Sequence, residues 1–266
     1  MNDEVAPPGI DTSVAHPARR YDYWLGGKDN FAADRAAGDA IAAAYPSIRT
    51  LAIENRRFLR RAVRFLAVEC GIRQFLDIGT GIPSANNTHE VAQSVAPESR
   101  VVYVDNDPIV LVHARALLRG GATDYLDGDF RQPEDILERA AKSLDFRQPV
   151  GLMLVALLHL VRDEDTPYAH VATLVDACAP GSCLTISHGT ADFVSAETRA
   201  KVAAADAKTP NPSQVRSKDE IARFFTGLEI VEPGIVPISE WRAEGEPAPR
   251  PTPEEVSCYG ALAHKL

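Results

Sequence analysis

Cysteine is scarce in this sequence, with four residues in a chain of 266. No two of them form a Cys-x-x-Cys pair, and none has a histidine nearby at the spacing of a zinc site. This pattern argues against a metal site and predicts reduced thiols in the core of a cytoplasmic protein. The four residues are Cys70, Cys178, Cys183 and Cys258.

Long apolar runs are also absent. The longest, residues 150–161, contains His159 and is too short to cross a bilayer. Residues 1–17 are polar and lack the apolar core of a signal peptide. We therefore expect a flexible leader over residues 1–17, no membrane association and a cytoplasmic location.

Positive charge is in deficit, with 28 Lys and Arg against 37 Asp and Glu and a net charge of −9. This balance argues against nucleic acid as the partner and favours a small molecule. The length suits one large α/β domain or a domain with an appendage, and the 45% apolar content is that of an ordinary globular protein. One basic cluster is predicted to be the solvated face of a long helix over residues 47–70. It consists of Arg56, Arg57, Arg60, Arg61 and Arg64.

Residues 74–84 contain the most informative pattern, a short apolar stretch that ends in Asp77 and then a turn through Gly79 and Gly81. The pattern predicts a buried strand, a glycine turn and a helix over residues 85–96. Glycines allow close approach of the backbone to a ligand, and the first turn of a helix offers free N–H groups. A nucleotide-binding corner is therefore predicted, although a lone Gly-x-Gly also occurs in ordinary tight turns.

The chain beyond this corner alternates between predicted strands and helices. Strands are predicted over residues 100–105, 124–126, 150–158 and 182–187, with helices between them, including one over residues 109–118. Such alternation indicates βαβ units and a parallel sheet, in which ligands bind beyond the carboxyl ends of the strands. Polar residues cluster at those ends. They are Asp77, Asp105, Asp129, His159 and His188. Asp105 follows Gly79 by 26 residues, close to the roughly 20 expected for an acid that binds a ribose hydroxyl.

The two ends of the chain differ from this pattern. Helices over residues 31–45 and 47–70 predict an N-terminal helical cap that spans residues 18–71. Residues 18–30 combine aromatic residues and glycines, which suits either a loop that closes over a ligand or a segment docked on the core. Residues 228–238 and 256–264 predict an antiparallel strand pair. The predicted fold is α/β and Rossmann-like, a doubly wound, mostly parallel seven-stranded sheet over residues 72–266.

This organisation resembles class I S-adenosylmethionine-dependent methyltransferases. The local motifs at residues 21–31, 77–83, 86–90 and 102–108 resemble a bacterial S-adenosyl methyltransferase family formerly described as a domain of unknown function. Two positions depart from the common class I pattern, since Pro83 replaces a third glycine and Asn106 replaces an apolar residue.

The resemblance implies a binding role for each matching residue. Asp77, Gly79, Thr80 and Gly81 would surround the methionine part of S-adenosylmethionine, with backbone amides near its carboxylate. Asp105 would bind the ribose hydroxyls, Asn106 would lie beside the adenine, Asp129 would accept from its amino group, and Phe130 would lie near the ring face.

The leading functional prediction is methyl transfer to a small-molecule acceptor. His159 is the candidate general base because it follows a strand end, although it could equally be hydrogen-bonded to the acids after it; His188 is a weaker alternative. Two other functions stay open, a nicotinamide-dependent oxidoreductase and a non-catalytic S-adenosylmethionine-binding regulatory protein. The candidates for the lid and the acceptor pocket are Tyr21, Tyr23, Lys28 and Asn30.

Overall fold

An eight-stranded sheet forms the centre of the protein in a computed structural model that describes residues 11–110, 112 and 122–266. Its order is β3-β2-β1-β4-β5-β8-β6, and β7 also pairs with β8. Strands β1 to β5 are parallel, whereas β8 is antiparallel to β5, β6 and β7. The mostly parallel sheet with an antiparallel C-terminal addition is thereby confirmed. The strands are β1 (Gln74–Ile78), β2 (Arg100–Asp105), β3 (Thr123–Asp127), β4 (Gly151–Val155), β5 (Cys183–Gly189), β6 (Glu229–Ile230), β7 (Val236–Pro237) and β8 (Cys258–His264).

Helices surround the sheet, and three short 3-10 turns join them at Leu158–Leu160, Asp163–Asp165 and Arg223–Phe225. Residues 1–10 of the predicted leader, and most of the helix predicted over residues 109–118, lie outside the described residues. The helices are α1 (Pro17–Trp24), α2 (Ala32–Ala44), α3 (Ile48–Val68), α4 (Thr88–Val95), α5 (Pro133–Ala140), α6 (Pro167–Ala177), α7 (Ala196–Asp206), α8 (Lys218–Ala222) and α9 (Pro253–Val256).

Both faces of the sheet are buried, as the continuous apolar strands require. Alternate residues of β1 point to opposite faces: Leu76 belongs to the core shared with α5 and α6, and Phe75 to the core shared with α3 and α4. Phe58 and Leu66 of α3 are fully buried in the second core. The helical cap is therefore packed directly on the sheet, and a domain boundary near residue 71 stays a prediction.

The strand predicted over residues 228–238 is broken in two. Pro233 has no N–H to donate to the neighbouring strand, and Gly234 adopts a φ of +90° that extended backbone does not use. The chain leaves the sheet after β6 and rejoins it at β7.

The helix after the glycine turn begins at Thr88 rather than at residue 85. Asn86 has a left-handed φ of 61°, which interrupts a helix, and Asn87 then caps α4 in a capping box with Glu90. The predicted direct passage from the glycine turn into a helix N-terminus is therefore wrong.

Residues 17–24 form helix α1, which was not predicted. The side chains of His16 and Arg19 dock it, because His16 Nδ1 lies 2.9 Å and Arg19 Nε 3.3 Å from Oδ2 of the buried Asp107. This contact joins the cap to the end of β2. Within the described part of the chain, no helix has the length and apolar character needed to span a membrane.

Candidate cofactor and acceptor site

A cavity of about 420 Å³ opens at the carboxyl ends of the parallel strands. Its position at the reversal of strand order between β1 and β4 is the usual ligand site of an open α/β sheet. The cavity wall brings together every residue predicted to hold the cofactor. These are Asp77, Gly79, Thr80, Gly81, Asp105, Asn106, Asp129 and Phe130.

The glycine turn shapes one side of the cavity. Gly79 and Gly81 have φ values of +73° and +67°, a backbone conformation that favours glycine. A Cβ at Gly79 would lie 2.6 Å from Leu157, whereas one at Gly81 would meet no atom within 4 Å. Gly79 therefore allows close packing against the loop after β4, and Gly81 faces open space.

The N–H groups of this turn are engaged within the protein. Those of Gly79 and Thr80 donate to the Val104 carbonyl at 2.8 and 3.3 Å, and that of Gly81 donates to Asp105 Oδ2 at 2.8 Å. The turn thus ties β1 to β2. The amides expected near the cofactor carboxylate already have partners, so other donors are needed for that group.

Asp77 is buried at the floor of the cavity with a side chain that has one strong partner. Its Oδ2 accepts a hydrogen bond from Thr88 Oγ1 at 2.5 Å. Burial raises the pKa of Asp77 to about 6, and the neighbouring Asp105 also raises it, while Thr88 and Arg56 lower it. A cationic ligand group beside this carboxylate would favour its ionised form.

Arg56 also lines the cavity. The prediction that the whole arginine cluster forms a solvated face is therefore wrong at this position. Arg56 Nη2 donates to the carbonyls of Ala85 and Asn86 at 3.2 and 3.1 Å and to Asn87 Oδ1 at 3.0 Å. Its buried Nε has no hydrogen-bond partner among the described residues. Arg61 is not solvated either, since it donates to main-chain carbonyls of residues 238 and 241. The sequence spacing gave no signal that separates these two from the exposed members.

Asp105 at the end of β2 is 7% exposed. Its Oδ1 accepts from the Asp107 N–H at 2.9 Å, and its Oδ2 accepts from Gly81. Burial raises the pKa of Asp105. Each carboxylate oxygen has two acceptor positions, so one on each oxygen remains for a pair of ribose hydroxyls. Asn106 follows at the exposed rim of the cavity.

Asp129 and Phe130 follow β3, the strand next to β2, and both line the cavity. Asp129 is half-buried and pairs with Arg131, whose Nη1 lies 2.7 Å from Oδ2 and whose backbone N–H donates to Oδ1 at 2.9 Å. Phe130 is buried, with its ring perpendicular to that of His170 at a centroid distance of 5.7 Å. If Asp129 accepts a hydrogen bond from the adenine amino group, it does so while it is also paired with Arg131.

His159 lies on the cavity wall in the 3-10 turn after β4. The predicted strand stops at Val155 because Ala156 adopts a left-handed φ of 57°. Burial lowers the pKa of His159 to about 4. Its Nδ1 has no partner among the described residues, and the acids that follow do not hold it, since Asp163 pairs with Arg216 instead.

His188 lies away from the cavity, inside β5. Arg216 Nη1 donates to its Nε2 at 2.9 Å, and its Nδ1 lies 2.7 Å from the Gly189 carbonyl. Both ring nitrogens are thus engaged, and burial lowers the pKa of His188 well below its usual range. This histidine anchors Arg216 and cannot contact a methyl acceptor bound in the cavity.

Tyr21 is the one proposed lid residue that the structure brings to the cavity. Its hydroxyl donates to the Ala52 carbonyl at 3.0 Å and accepts from Asn55 Nδ2 at 2.9 Å. Asn55 Oδ1 in turn accepts from Ser187 Oγ at 2.6 Å, and Ser187 Oγ accepts from the Ala156 N–H. This chain of hydrogen bonds connects α1 and α3 to the ends of β4 and β5.

The other three proposed lid residues do not line the cavity. Tyr23 donates to Asp39 Oδ1 at 2.8 Å and braces α1 against α2. Asn30 is buried and donates to Asp22 Oδ2 at 2.8 Å, which fixes the glycine-containing turn after α1. Lys28 is exposed on that turn. Aromatic and polar residues in this segment thus serve mainly to dock it.

Comparison with known proteins agrees with this geometry. Residues 3–266 match the model of the S-adenosyl methyltransferase family. The chain belongs to this family. Family membership assigns S-adenosylmethionine as the cofactor. No protein of curated function matches the chain.

Two solved structures are similar to this family member over nearly their full length. A DUF574 family protein from Streptomyces avermitilis is 45% identical, with 96% of this chain and 99% of that chain covered and a TM-score of 0.90. A proposed methyltransferase from Thermobifida fusca is 42% identical, with 98% and 99% covered and a TM-score of 0.92.

Much of the remaining cavity wall comes from helices α1, α2, α3 and α7 and from residues next to them, and most of these residues were not predicted. Arg20 of α1 lies 3.6 Å from Asp206 of α7, and both side chains are buried. Nε and Nη1 of Arg20 have no hydrogen-bond partner among the described residues. Residues from distant parts of the sequence meet here, so no local motif marks them. The apolar side chains on this part of the wall include Trp24, Leu25, Ile41, Tyr45, Ile48, Leu51, Val194 and Val202.

Proposed function

We propose that this protein transfers a methyl group from S-adenosylmethionine to a small-molecule acceptor. One observation carries the proposal: the residues of the cofactor corner and those of the helical cap line a single continuous cavity. When bound, S-adenosylmethionine supplies an electrophilic methyl group. The protein then has to align the acceptor with that group and to exclude water, which accounts for a large part of the rate enhancement in such reactions.

Three side chains would hold the cofactor. Asp77 is a buried carboxylate suited to the α-ammonium group, and burial raises its pKa more than the nearby Arg56 lowers it. Arg56 offers a guanidinium close enough to influence Asp77 and is suited to the α-carboxylate, for which the turn amides are already engaged. Asp105 offers acceptor positions for the ribose hydroxyls.

The walls beyond this corner favour an acceptor with an apolar body and a polar oxygen. The apolar side chains of α2 and α7 would contact the body of the acceptor. The buried guanidinium of Arg20 has an ion pair with Asp206 at 3.6 Å, but its Nε has no hydrogen-bond partner among the described residues. An unpaired buried N–H is costly until an oxygen accepts from it. A carboxylate, phenolate or carbonyl oxygen meets that requirement.

His159 would accept a hydrogen bond from the acceptor rather than act as a strong base. With a pKa of about 4 it is neutral near pH 7, but its affinity for a proton is low. Its Nδ1 lacks a partner among the described residues and would be available to orient an O–H or N–H group. Proton loss from the acceptor would then accompany methyl transfer or follow it.

The two alternatives make different demands on the site. A nicotinamide-dependent oxidoreductase is disfavoured by the family to which the chain belongs. A regulatory protein that binds S-adenosylmethionine without catalysis would suit a blocked acceptor pocket, whereas here the cavity extends from the corner to α2 and α7.

The cofactor part of the proposal is tested by titration calorimetry with S-adenosylhomocysteine. We expect binding of one molecule per chain and no comparable binding of NAD. Binding of NAD with no detectable binding of S-adenosylhomocysteine would contradict the proposal.

The transfer part is tested with methyl-labelled S-adenosylmethionine and fractionated small-molecule extracts of bacterial cells. We expect the label to appear in a compound that has an apolar body and an oxygen able to bind Arg20, and to be lost in Asp105→Ala. Tight cofactor binding without label transfer to any fraction would favour the regulatory alternative.

A further inference from the structure

Three side chains with soft or borderline donor atoms meet at the edge of the sheet opposite the cavity. Cys70 follows the end of α3, Cys183 begins β5, and His264 ends β8. Cys183 and His264 are register partners in the antiparallel pairing of β5 with β8. Since β5 reaches the cavity only at Gly189, six residues further on, the cluster lies about 20 Å from that site.

The donor atoms of the cluster are spaced for one metal ion. Cys183 Sγ and His264 Nδ1 are 3.1 Å apart, and all three donor atoms lie within 4.8 Å of one another. Around tetrahedral zinc, bond lengths of about 2.3 Å to sulfur and about 2.05 Å to nitrogen place two sulfurs about 3.8 Å apart and sulfur and nitrogen about 3.6 Å apart. Adjustments of less than about 1 Å would convert the cluster into three corners of such a site.

Burial and chemistry both suit a metal. Cys183 is buried, while Cys70 and His264 are half-buried, so the cluster is shielded and still reachable from solvent. Thiolate sulfur and imidazole nitrogen are the ligands that zinc prefers in structural sites. No second group of this kind occurs within residues 11–110, 112 and 122–266.

We propose that Cys70, Cys183 and His264 bind a Zn²⁺ ion, with water as the fourth ligand. Binding would replace the protons of the two thiols and release them to solvent, while neutral His264 donates its Nδ1 lone pair. The three residues come from distant segments of the sequence, so no local zinc spacing marks them. The ion would join the end of α3 to β5 and the C-terminal strand, and it would stabilise the fold without taking part in methyl transfer.

The test uses the full chain, reduced and freed of metal, and titrated with Co²⁺ as a spectroscopic substitute for Zn²⁺. We expect one equivalent to produce a thiolate-to-cobalt charge-transfer band and the visible bands of tetrahedral Co²⁺, both abolished by added Zn²⁺. Cys70→Ala should lower the charge-transfer intensity by about half, and Cys70→Ala with Cys183→Ala should remove it. His264→Gln should weaken Co²⁺ binding by at least the roughly 10- to 100-fold seen for second-shell partners.

Cys178→Ala provides the matched control, because Cys178 is also a buried thiol but lies outside the cluster. It should leave every cobalt band unchanged. Binding of S-adenosylhomocysteine by each variant serves as the measure of correct folding and is expected to persist, since the cluster is remote from the cavity. The cobalt bands report on the metal site alone, so they are independent of the proposed methyl transfer.

Several results would overturn the zinc proposal. These are the absence of a charge-transfer band in the reduced wild-type protein, an equal loss of the band in Cys178→Ala, and retention of the full band in the double variant. A Cys70–Cys183 disulfide in the isolated protein, followed by no Co²⁺ binding after reduction, would show a redox pair in place of a metal site.

Discussion

Replacement of Asp77 by Asn is expected to stabilise the protein while it weakens cofactor binding. The carboxyl group is 3% exposed, and burial raises its pKa from 3.8 to about 6. A tenfold change in proton affinity corresponds to about 1.4 kcal/mol, so the ionised carboxylate destabilises the folded state by about 3 kcal/mol at pH 7. Asn is neutral and nearly the same size, and its Oδ1 can still accept from Thr88.

The pH dependence follows from the direction of the shift. Between pH 3.8 and about 6 the folded protein retains a proton on Asp77 that the unfolded chain has released. The free energy of unfolding of the wild type therefore falls as pH rises through this window, and Asp77→Asn removes that fall. The variant should exceed the wild type by up to about 3 kcal/mol near pH 7 and by almost nothing near pH 4.

Urea unfolding of both proteins, followed by far-ultraviolet circular dichroism across this pH range, measures the difference. Glu98→Gln is the control, because it removes an exposed carboxylate whose ion pair with Arg73 should contribute less than about 1 kcal/mol. An Asp77→Asn variant that is less stable than the wild type near pH 7, or a difference that does not change with pH, would refute this account of Asp77.

Cofactor affinity should change in the opposite direction. Loss of one partner from a buried charge pair costs about 2–5 kcal/mol, so Asp77→Asn should raise the Kd for S-adenosylhomocysteine by at least roughly 30-fold. Calorimetry near pH 7 measures this change. Equal affinities for the two proteins would contradict contact between Asp77 and the ammonium group.

Further predictions concern the cofactor, the cap and His159. Asp105→Ala should raise the Kd for S-adenosylhomocysteine by roughly tenfold or more through the loss of charged hydrogen bonds, whereas the exposed Lys28→Ala should leave it unchanged; calorimetry checks both. Ser187→Ala leaves the buried Asn55 Oδ1 without its donor and should lower the free energy of unfolding by about 1–3 kcal/mol in urea titrations. The Cε1–H resonance of His159 should titrate near pH 4 in NMR spectra, and a midpoint near 6.5 would contradict the desolvation of its ring.

The sheet was predictable because its signals are local. Apolar runs mark β1, β2, β4 and β5, and the side chains at their ends must meet at one edge of a parallel sheet. For the same reason every predicted cofactor residue lies on one cavity wall. The interrupted strand at Pro233 and Gly234 also had a local signal, which the continuous-strand prediction did not use.

The acceptor side of the cavity was not predictable in this way. Arg20 meets Asp206 across 186 positions of sequence, and the apolar side chains of α2 meet those of α7. Arg56 shares a helix with exposed arginines of identical type, and the rotation of α3 relative to the loop at residues 85–87 decides which of them enters the cavity. Which side chain of a helix enters the cavity depends on tertiary packing. Helical periodicity predicts only approximately where each side chain points.

The two buried ionisable groups on the cavity wall show how stability and function are balanced in this fold. Asp77 lacks a cationic partner sufficient to keep its pKa low, and burial also lowers the pKa of Arg20 although Asp206 lies nearby. Both charged forms are thus disfavoured in the protein alone, and a ligand with complementary groups at both positions would relieve that cost. In the proposed function, S-adenosylmethionine would supply the ammonium group for Asp77, and an acceptor oxygen would supply the partner for Arg20. It follows that cofactor and acceptor should each raise the thermal stability of the protein, and the part of the cofactor effect that depends on Asp77 should disappear in Asp77→Asn.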